Sequence, residues 1–207
     1  MSTTAVAASP RLVLADRLAG GRGLAKDALL VLAGAAVVAV LAQVTVPMWP
    51  VPITGQTLGV MIVGASLGAW RGASALVAYM VAGLAGLPVF AEFTGGLATV
   101  AKPSFGYIIG FIVAAFVAGW LAERRWDRRP LLSIAVFGLA TIVPFLFGVP
   151  YMAFVLAQMG TPVDFAGAMA YGVTPFIVGG LVKWAIAAAV MPLAWKGVKA
   201  LDERDAR

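Results

Sequence analysis

Lys183 is the residue with the clearest chemical potential in this sequence, because it is a lone charge inside the last of several long apolar stretches. It follows Pro175 by eight residues, which is ~12 Å along an α-helix and close to the middle of a hydrocarbon core ~30 Å thick. A charged side chain at that depth costs at least ~2.5–3.5 kcal/mol to insert. We therefore expect Lys183 to face an anionic ligand or partner. In the alternative interpretation, its stem reaches up to a membrane interface.

Two small residues accompany the lysine on its predicted helix. Gly179 and Gly180 precede Lys183 by four and three positions, so all three share one helix face. Side chains this small could leave a pocket beside the ammonium group. Gly180 is therefore a candidate ligand-binding residue.

A proline-rich segment precedes the second apolar stretch. It has three prolines in the six residues 47–52, and each fixes its own φ and pushes its predecessor toward extended backbone. We expect this stiff, apolar segment to fold inward over a helical bundle. Thr54 and Gln56 then become candidate hydrogen-bonding groups that face a cavity. The alternative is a simple helix breaker without a ligand.

A second unusual segment covers residues 86–97, where aromatic residues and paired glycines occur together. Glycines allow the backbone to approach a ligand closely, so Phe90 and Glu92 are candidate ligand contacts. Loop charges such as Glu92 and Lys102 are more commonly just hydrated. Tyr107, near the start of the fourth apolar stretch, can offer both a flat ring and a hydroxyl group to a ligand.

The composition identifies the kind of element that must position these side chains. The chain is 62% hydrophobic and 12% charged, which is typical of an integral membrane protein with no soluble domain. It has no cysteine and no histidine, so thiol catalysis and the commonest metal ligands are excluded. It also has no Gly-x-x-x-x-Gly-Lys-Ser/Thr motif, so any active transport must draw its energy from a partner.

The apolar pattern predicts an all-α fold with six transmembrane helices. The stretches are 28–46, 53–70, 73–90, 105–122, 131–158 and 174–195, each near the length needed to cross a bilayer. They form a transmembrane domain over residues 25–197, between an N-terminal tail (1–24) and a C-terminal tail (198–207). Residues 12–18 are expected to form a short interfacial helix or a frayed tail.

Basic residues give this domain an orientation. Thirteen lie in the tails and loops of one side, whereas Lys102 alone lies on the other. By the positive-inside rule, both termini are expected in the cytoplasm. Because these charges cluster in short loops at the ends of apolar stretches, we interpret them as a sign of topology and do not expect nucleic-acid binding.

Small-residue pairs predict close helix packing. We expect Gly64-x-x-x-Gly68 and Gly106-x-x-x-Gly110 to pack inside the bundle.

Three motifs, in this order, resemble the BioY family, the biotin-binding S-components of energy-coupling-factor (ECF) transporters: residues 50–57 (PVPITGQT), 86–90 (GLPVF) and 106–111 (GYIIGF). The resemblance extends from about residue 28 to 196. It implies a six-helix bundle in the bacterial inner membrane that binds biotin near its outer face, with no cofactor, metal or enzymatic activity. It also implies partnership with an ECF transmembrane coupling protein and two ATPases. Ala35-x-x-x-Ala39 resembles the small-residue motif that contacts the coupling protein.

Two motifs depart from the family pattern. The last family motif usually reads Pro-Phe-x-Pro-Gly-Asp-x-x-Lys, but residues 175–183 here place Gly180 where the aspartate stands. The family's Gly-Pro-Thr-Gly-Gly-Tyr is also altered in residues 102–107. Our hypothesis is that Lys183 binds the carboxylate of biotin. These departures keep open an S-component for another small vitamin.

Two further alternatives concern how the chain works. One is a purely structural subunit or a solitary biotin facilitator, and the facilitator would act without ATPases. An intramembrane enzyme is disfavoured, since metal-assisted hydrolysis needs His or paired carboxylates and neither occurs in the apolar stretches. A Ser–Lys dyad would need Ser66 or Ser104 beside Lys183, and neither is obviously placed there.

Overall fold

A computed structural model describes residues 13–19 and 23–205, and shows a helical bundle with one small hairpin. The parts of both predicted tails in 1–12, 20–22 and 206–207 lie outside the described residues. Within the described ranges the helices are α1 (Leu14–Ala19), α2 (Leu24–Ala42), α3 (Gln56–Leu67), α4 (Ala69–Leu84), α5 (Phe105–Ala122), α6 (Pro130–Gln158), α7 (Phe165–Gly172) and α8 (Phe176–Asp205). The hairpin consists of β1 (Thr45–Val46) and β2 (Ile53–Thr54). The prediction of a mostly helical fold is confirmed.

The number of helices differs from the predicted six, since the described ranges contain eight. Four of them, α2, α5, α6 and α8, are long and apolar enough to cross a membrane. The predicted second stretch is divided, because residues 53–54 form β2 and only twelve residues form α3. Of the two alternatives given for residues 12–18, the described part shows the short helix, as α1. Helix α7 was not predicted at all.

Helix α5 lies at the centre of the bundle, with 67% of its apolar window buried against 11% for α2. Its neighbours approach closely because the contact positions are glycines. A Cβ added at Gly64 would lie 2.5 Å from the carbonyl oxygen of Ala115 on α5. A Cβ at Gly110 would lie 2.7 Å from the Cα of Pro144 on α6. The glycine pairs therefore serve internal packing, as predicted.

The junction between α3 and α4 requires glycine. Gly68 adopts φ +89°, a left-handed conformation that residues with a Cβ rarely take. The next residue begins α4, and the Ala69 N–H donates to the Glu123 carboxylate from the end of α5 at 2.9 Å. Arg71 extends this arrangement by pairing with Asp16 at 2.7 Å and Asp27 at 3.1 Å. The starts of α1, α2 and α4 are thereby tied together at one end of the bundle.

The hairpin and the 86–97 segment close the other end. Thr45 pairs with Thr54 and Val46 with Ile53 in antiparallel register. Gln43, just after α2, donates through its side-chain nitrogen to the Phe90 carbonyl at 3.2 Å and accepts from the Phe93 N–H at 3.0 Å. The hairpin and the 86–97 segment are both anchored to the end of α2, and together they cover the region that Lys183 faces.

Candidate ligand-binding site

One cavity of about 220 Å³ brings the predicted site residues together. It lies between the hairpin, the 86–105 segment and the facing sides of α3, α5, α6 and α8. Its lining includes all seven candidate ligand-binding residues: Thr54, Gln56, Phe90, Glu92, Tyr107, Gly180 and Lys183. Residues separated by more than a hundred positions in the chain therefore meet in one place.

Lys183 projects from α8 into this cavity, where it is half-buried. Its Nζ donates to the backbone carbonyl of Thr54 at 2.8 Å. No carboxylate in residues 13–19 or 23–205 forms a salt bridge with it. An ammonium group has three N–H donors and one formal charge, so Lys183 retains both a charge to be neutralised and donors to offer.

Gly180 leaves open space beside the lysine. A Cβ added there would have Thr141 Cγ2 as its nearest neighbour, at 3.7 Å, which is ordinary van der Waals distance. This agrees with the prediction that small residues open a pocket next to Lys183. Gly179 also has room, with Ile53 at 3.7 Å, but it does not line the cavity.

Gln56 belongs to a chain of hydrogen bonds in the cavity wall. The Thr54 hydroxyl donates to Gln56 Oε1 at 2.7 Å, and Gln56 Nε2 donates to the Tyr79 hydroxyl at 2.7 Å. Gln56 is only 5% exposed, so these bonds satisfy a group that would otherwise be costly to bury. Tyr79, which sequence reasoning missed, also packs edge-on against Phe90 with ring centroids 5.4 Å apart. It therefore positions two predicted site residues.

Tyr107 contributes its ring, whereas its hydroxyl is already engaged. The hydroxyl donates to the Gly172 carbonyl at the end of α7 at 2.7 Å. The ring packs against Phe145 and Phe176 at 5.9 and 6.0 Å, and these two rings also contact each other. We expected Tyr107 to offer its hydroxyl to a ligand. Helix α7, which was not foreseen, accepts the hydrogen bond of this hydroxyl through the Gly172 carbonyl. Ligand contact by Tyr107 stays a prediction.

Glu92 and Lys102 lie at the rim of the cavity and are exposed. Glu92 has a left-handed backbone at φ 60°, and so has Phe93 at φ 54°. Such conformations are uncommon for residues with a Cβ, and here they turn the chain sharply beside the cavity. Phe90 differs from both charges, since it is buried and forms part of the wall.

Thr57 is a polar group in the cavity lining that we did not predict. Its Oγ1 is buried and has no hydrogen-bond partner among the described residues. Thr141, also in the lining, differs because its hydroxyl donates to the Phe137 carbonyl at 2.7 Å. A signal for Thr57 existed, since it closes the motif at 50–57. The unpartnered hydroxyl of this lining residue is a candidate contact for a polar ligand group.

Metal-assisted hydrolysis would require a metal-binding cluster, and a Ser–Lys dyad would require a serine beside Lys183. Within residues 13–19 and 23–205, no group of three or more His, Cys, Asp or Glu side chains could hold a metal ion. Ser66 contacts Met191 at 3.8 Å and does not line the cavity. Ser104 does line it, but the Lys183 amine is hydrogen-bonded to a backbone carbonyl and not to this serine.

Ala35 and Ala39 lie on α2, away from the cavity. Both are half-buried and pack partly against the core of their own bundle. Most of the remaining surface of α2 is exposed and apolar.

Comparison with known proteins decides the family. The family model described as "BioY family" matches residues 9–200. The chain belongs to the BioY family. It is 39% identical over 162 residues to the "Biotin transporter BioY" of Rhizobium etli, covering 75% of this chain and 83% of the relative. It is 36% identical over 155 residues to the BioY of Thermotoga maritima, covering 75% and 87% respectively.

A solved structure supports the same assignment at the level of the BioY fold. The S-component for biotin from an ECF-type ABC transporter matches with a TM-score of 0.62 and 26% identity, over 83% of this chain and 92% of that one. These relatives are transporters by name, not enzymes. With its four long apolar helices, this BioY-family chain is a membrane protein.

Proposed function

We propose that this chain captures biotin for uptake, as the substrate-binding membrane subunit of an ECF-type transporter. The observation that carries the proposal is the half-buried cation Lys183, which forms no salt bridge with a carboxylate of the described residues, in a cavity with aromatic walls. The family motifs at 50–57, 86–90 and 106–111 all contribute residues to this cavity. The biotin named for the relatives and for the solved S-component supports the choice of ligand.

The chemistry of biotin matches this cavity group by group. Its one carboxylate can pair with Lys183, where a charge-assisted hydrogen bond is stronger than a neutral one. Its apolar chain can pack against Phe90, Phe145 and Phe176, as is usual for a small-molecule site with few polar groups. Its neutral ureido ring can accept or donate hydrogen bonds at Thr57 and at the remaining N–H of Gln56.

The missing aspartate at position 180 fits this mechanism. Without a carboxylate on its helical neighbour, Lys183 is held only by the Thr54 carbonyl in the absence of ligand. The ligand carboxylate then supplies the neutralising charge. Gly180 leaves the space into which that carboxylate can enter.

In the membrane, six helices would cross the bilayer: α2, α3, α4, α5, α6 and α8. The shorter α3 and α4 pack beside the long central α5, and residues 25–197 form the transmembrane domain. Basic residues are concentrated at the end opposite the cavity, and by the positive-inside rule this supports a cytoplasmic position for both termini. The cavity would then open to the outer face of the bacterial inner membrane.

Energy for uptake would come from partners: a transmembrane coupling protein and two ATPases. The chain has no phosphate-binding loop of its own. Ala35 and Ala39 remain the proposed contact with the coupling protein, and their small side chains permit close helix approach. Because both are half-buried, exposed residues on the neighbouring faces of α2 would share that contact.

Binding of labelled biotin to the purified chain tests this function, with a panel of unlabelled vitamins as competitors. We expect saturable binding that biotin displaces and other vitamins do not. If a different vitamin displaced the labelled biotin, that vitamin would be the ligand, and the chain would still be an S-component. Isolation of the chain from native membranes tests the partners: co-purified ATPases support the ECF assembly, and their consistent absence supports a solitary facilitator.

A further inference from the structure

A second pocket lies at the end of the bundle opposite the ligand cavity. It is formed where the loop between α5 and α6 meets the last turns of α8. Trp126 and Leu132 form its apolar part. Its remaining lining consists of five basic side chains: Arg124, Arg125, Arg128, Arg129 and Lys199. We call this the basic pocket.

Three cations of the basic pocket form no salt bridge with an acid of the described residues, whereas Arg128 interacts electrostatically with Asp127. Arg125, Arg129 and Lys199 are exposed, and no carboxylate in the described part of the chain forms a salt bridge with any of them. The acid in the same loop, Asp127, is fully buried and is not part of the lining. Its Oδ2 accepts a hydrogen bond from Trp195 Nε1 at 2.6 Å. An anion from outside the chain is therefore the natural partner of Arg125, Arg129 and Lys199.

Aromatic rings hold two of the arginines in place. The guanidinium of Arg124 lies 3.4 Å from the ring centroid of Trp120 and donates to the Trp120 carbonyl at 2.9 Å. The guanidinium of Arg128 lies 3.7 Å from the ring centroid of Trp195. Stacking uses the flat face of a guanidinium and fixes the direction of its N–H edge. The pocket is therefore partly preorganised.

The surface next to the basic pocket is apolar and exposed. Leu131 is 82% exposed and Ile134 is 44% exposed on the first turns of α6, and Leu193 is 60% exposed on α8. Both helices are long and apolar enough to cross a bilayer, so in a membrane these side chains would face lipid. A ligand that fits has a phosphate beside apolar chains. Basic pockets between helix ends are known to suit acidic lipid head groups.

We propose that the basic pocket binds the phosphate group of an anionic phospholipid, with the acyl chains lying along α6 and α8. This site is separate from the biotin cavity and needs only that these two helices cross the membrane. Bound lipid would place one negative phosphate among Arg125, Arg129 and Lys199 and join the α5–α6 loop to the end of α8. Inorganic phosphate shares the charged group but lacks the apolar chains.

Native mass spectrometry of the full chain in neutral detergent tests the proposal, with dioleoyl phosphatidylglycerol and dioleoyl phosphatidylcholine as probes. We expect phosphatidylglycerol to bind at least about tenfold more tightly. The triple variant Arg125→Gln/Arg129→Gln/Lys199→Gln should lose this preference, since each basic residue near a membrane surface contributes several-fold to acidic-lipid binding. Lys199→Gln alone should lose about threefold. Lys196→Gln, an exposed lysine on the same helix outside the pocket, should bind like the unmodified chain.

Three results would overturn the proposal. The first is equal binding of the two lipids to the unmodified chain. The second is full displacement of phosphatidylglycerol by millimolar inorganic phosphate, which would make this a free-phosphate site. The third is a triple variant that keeps the lipid but loses co-purified partner subunits, which would make the pocket a protein contact. Biotin binding to the same samples checks that the triple variant is folded, and its failure in every sample would reject the proposed function alone.

Discussion

The Lys183 ammonium and the Thr54 carbonyl, 129 positions apart in the chain, form a 2.8 Å hydrogen bond that joins α8 to the hairpin. Thr54 also begins the hydrogen-bond chain through Gln56 to Tyr79. The cation of the site is therefore connected to the hairpin, and through it to α4, before any ligand arrives. Its charge is still available for a carboxylate.

Removing the Lys183 amine should weaken biotin binding at least about 30-fold, because losing one partner of a buried charge pair costs ~2–5 kcal/mol. Biotin amide, which has no carboxylate, should change little. Isothermal titration calorimetry with Lys183→Ala measures both ligands. Lys102→Ala removes an exposed amine at the rim and should have a much smaller effect. Equal losses for biotin and its amide would refute the carboxylate contact.

Filling the space at Gly180 should block the ligand. Gly180→Leu places a large side chain in the cavity, and overpacking of this kind costs ~1–3 kcal/mol, so we expect biotin affinity to fall about tenfold or more. Gly179→Leu is the matched control, because Gly179 has similar space around it but does not line the cavity. Competition with labelled biotin measures both variants. Similar losses in the two would show that the effect is on the helix and not on the pocket.

Thr57→Val should reduce biotin affinity without harming the free protein. The Thr57 hydroxyl is buried without a partner, so replacing it with a methyl group of similar shape should leave thermal stability unchanged or slightly higher. If the hydroxyl contacts the ligand, affinity should fall roughly 2- to 12-fold, as for one hydrogen bond worth ~0.5–1.5 kcal/mol. Thr141→Val is the control, since that hydroxyl bonds within its own helix. Unchanged affinity in Thr57→Val would remove Thr57 from the site.

Tyr107→Phe should affect stability more than binding. The variant keeps the ring in the aromatic wall but leaves the Gly172 carbonyl without its donor, a loss of ~1–3 kcal/mol for a buried acceptor. We expect a lower melting temperature and a biotin affinity within about threefold of the unmodified chain. Tyr151→Phe removes a hydroxyl from a more exposed bond and should lower the melting temperature less. A large loss of affinity with normal stability would instead mean that the Tyr107 hydroxyl binds the ligand directly.

The free energy of unfolding should fall as the pH rises from about 4 to above 6, because Asp127 ionises over this range. Burial raises the pKa of this carboxyl from 3.8 to about 6, so its neutral form stabilises the fold. This contribution to stability is fully present below the pKa of Asp127 in the unfolded chain. It is lost as the pH rises through the pKa of Asp127 in the folded protein. The shift of ~2 pKa units corresponds to up to ~3 kcal/mol. Tryptophan fluorescence during thermal unfolding measures the effect.

Asp127→Asn is the control for this pH dependence. The asparagine oxygen can still accept from Trp195, but it does not titrate in this range. We therefore expect the variant to have a flatter stability profile between pH 4 and pH 7. The same slope in both proteins would assign the pH dependence to another group.

The site was predictable where one residue carries its own signal. A lysine inside an apolar helix implies a buried cation regardless of the rest of the fold, and an adjacent Gly180 implies space beside it. The motifs at 50–57 and 86–90 similarly reveal stiff, non-helical segments through their prolines and glycines. All seven predicted ligand residues consequently line one cavity.

The partners of those residues were not predictable in the same way. No local sequence pattern indicates the roles of Tyr79, the end of α7 or the Thr54 carbonyl. Each acts through a hydrogen bond to a distant part of the chain. Composition and spacing determined that this is a membrane bundle with a buried cation, since burial cost depends on residue type. Only the tertiary structure decided which donors and acceptors are already satisfied, because hydrogen bonding depends on where distant backbone and side-chain atoms meet.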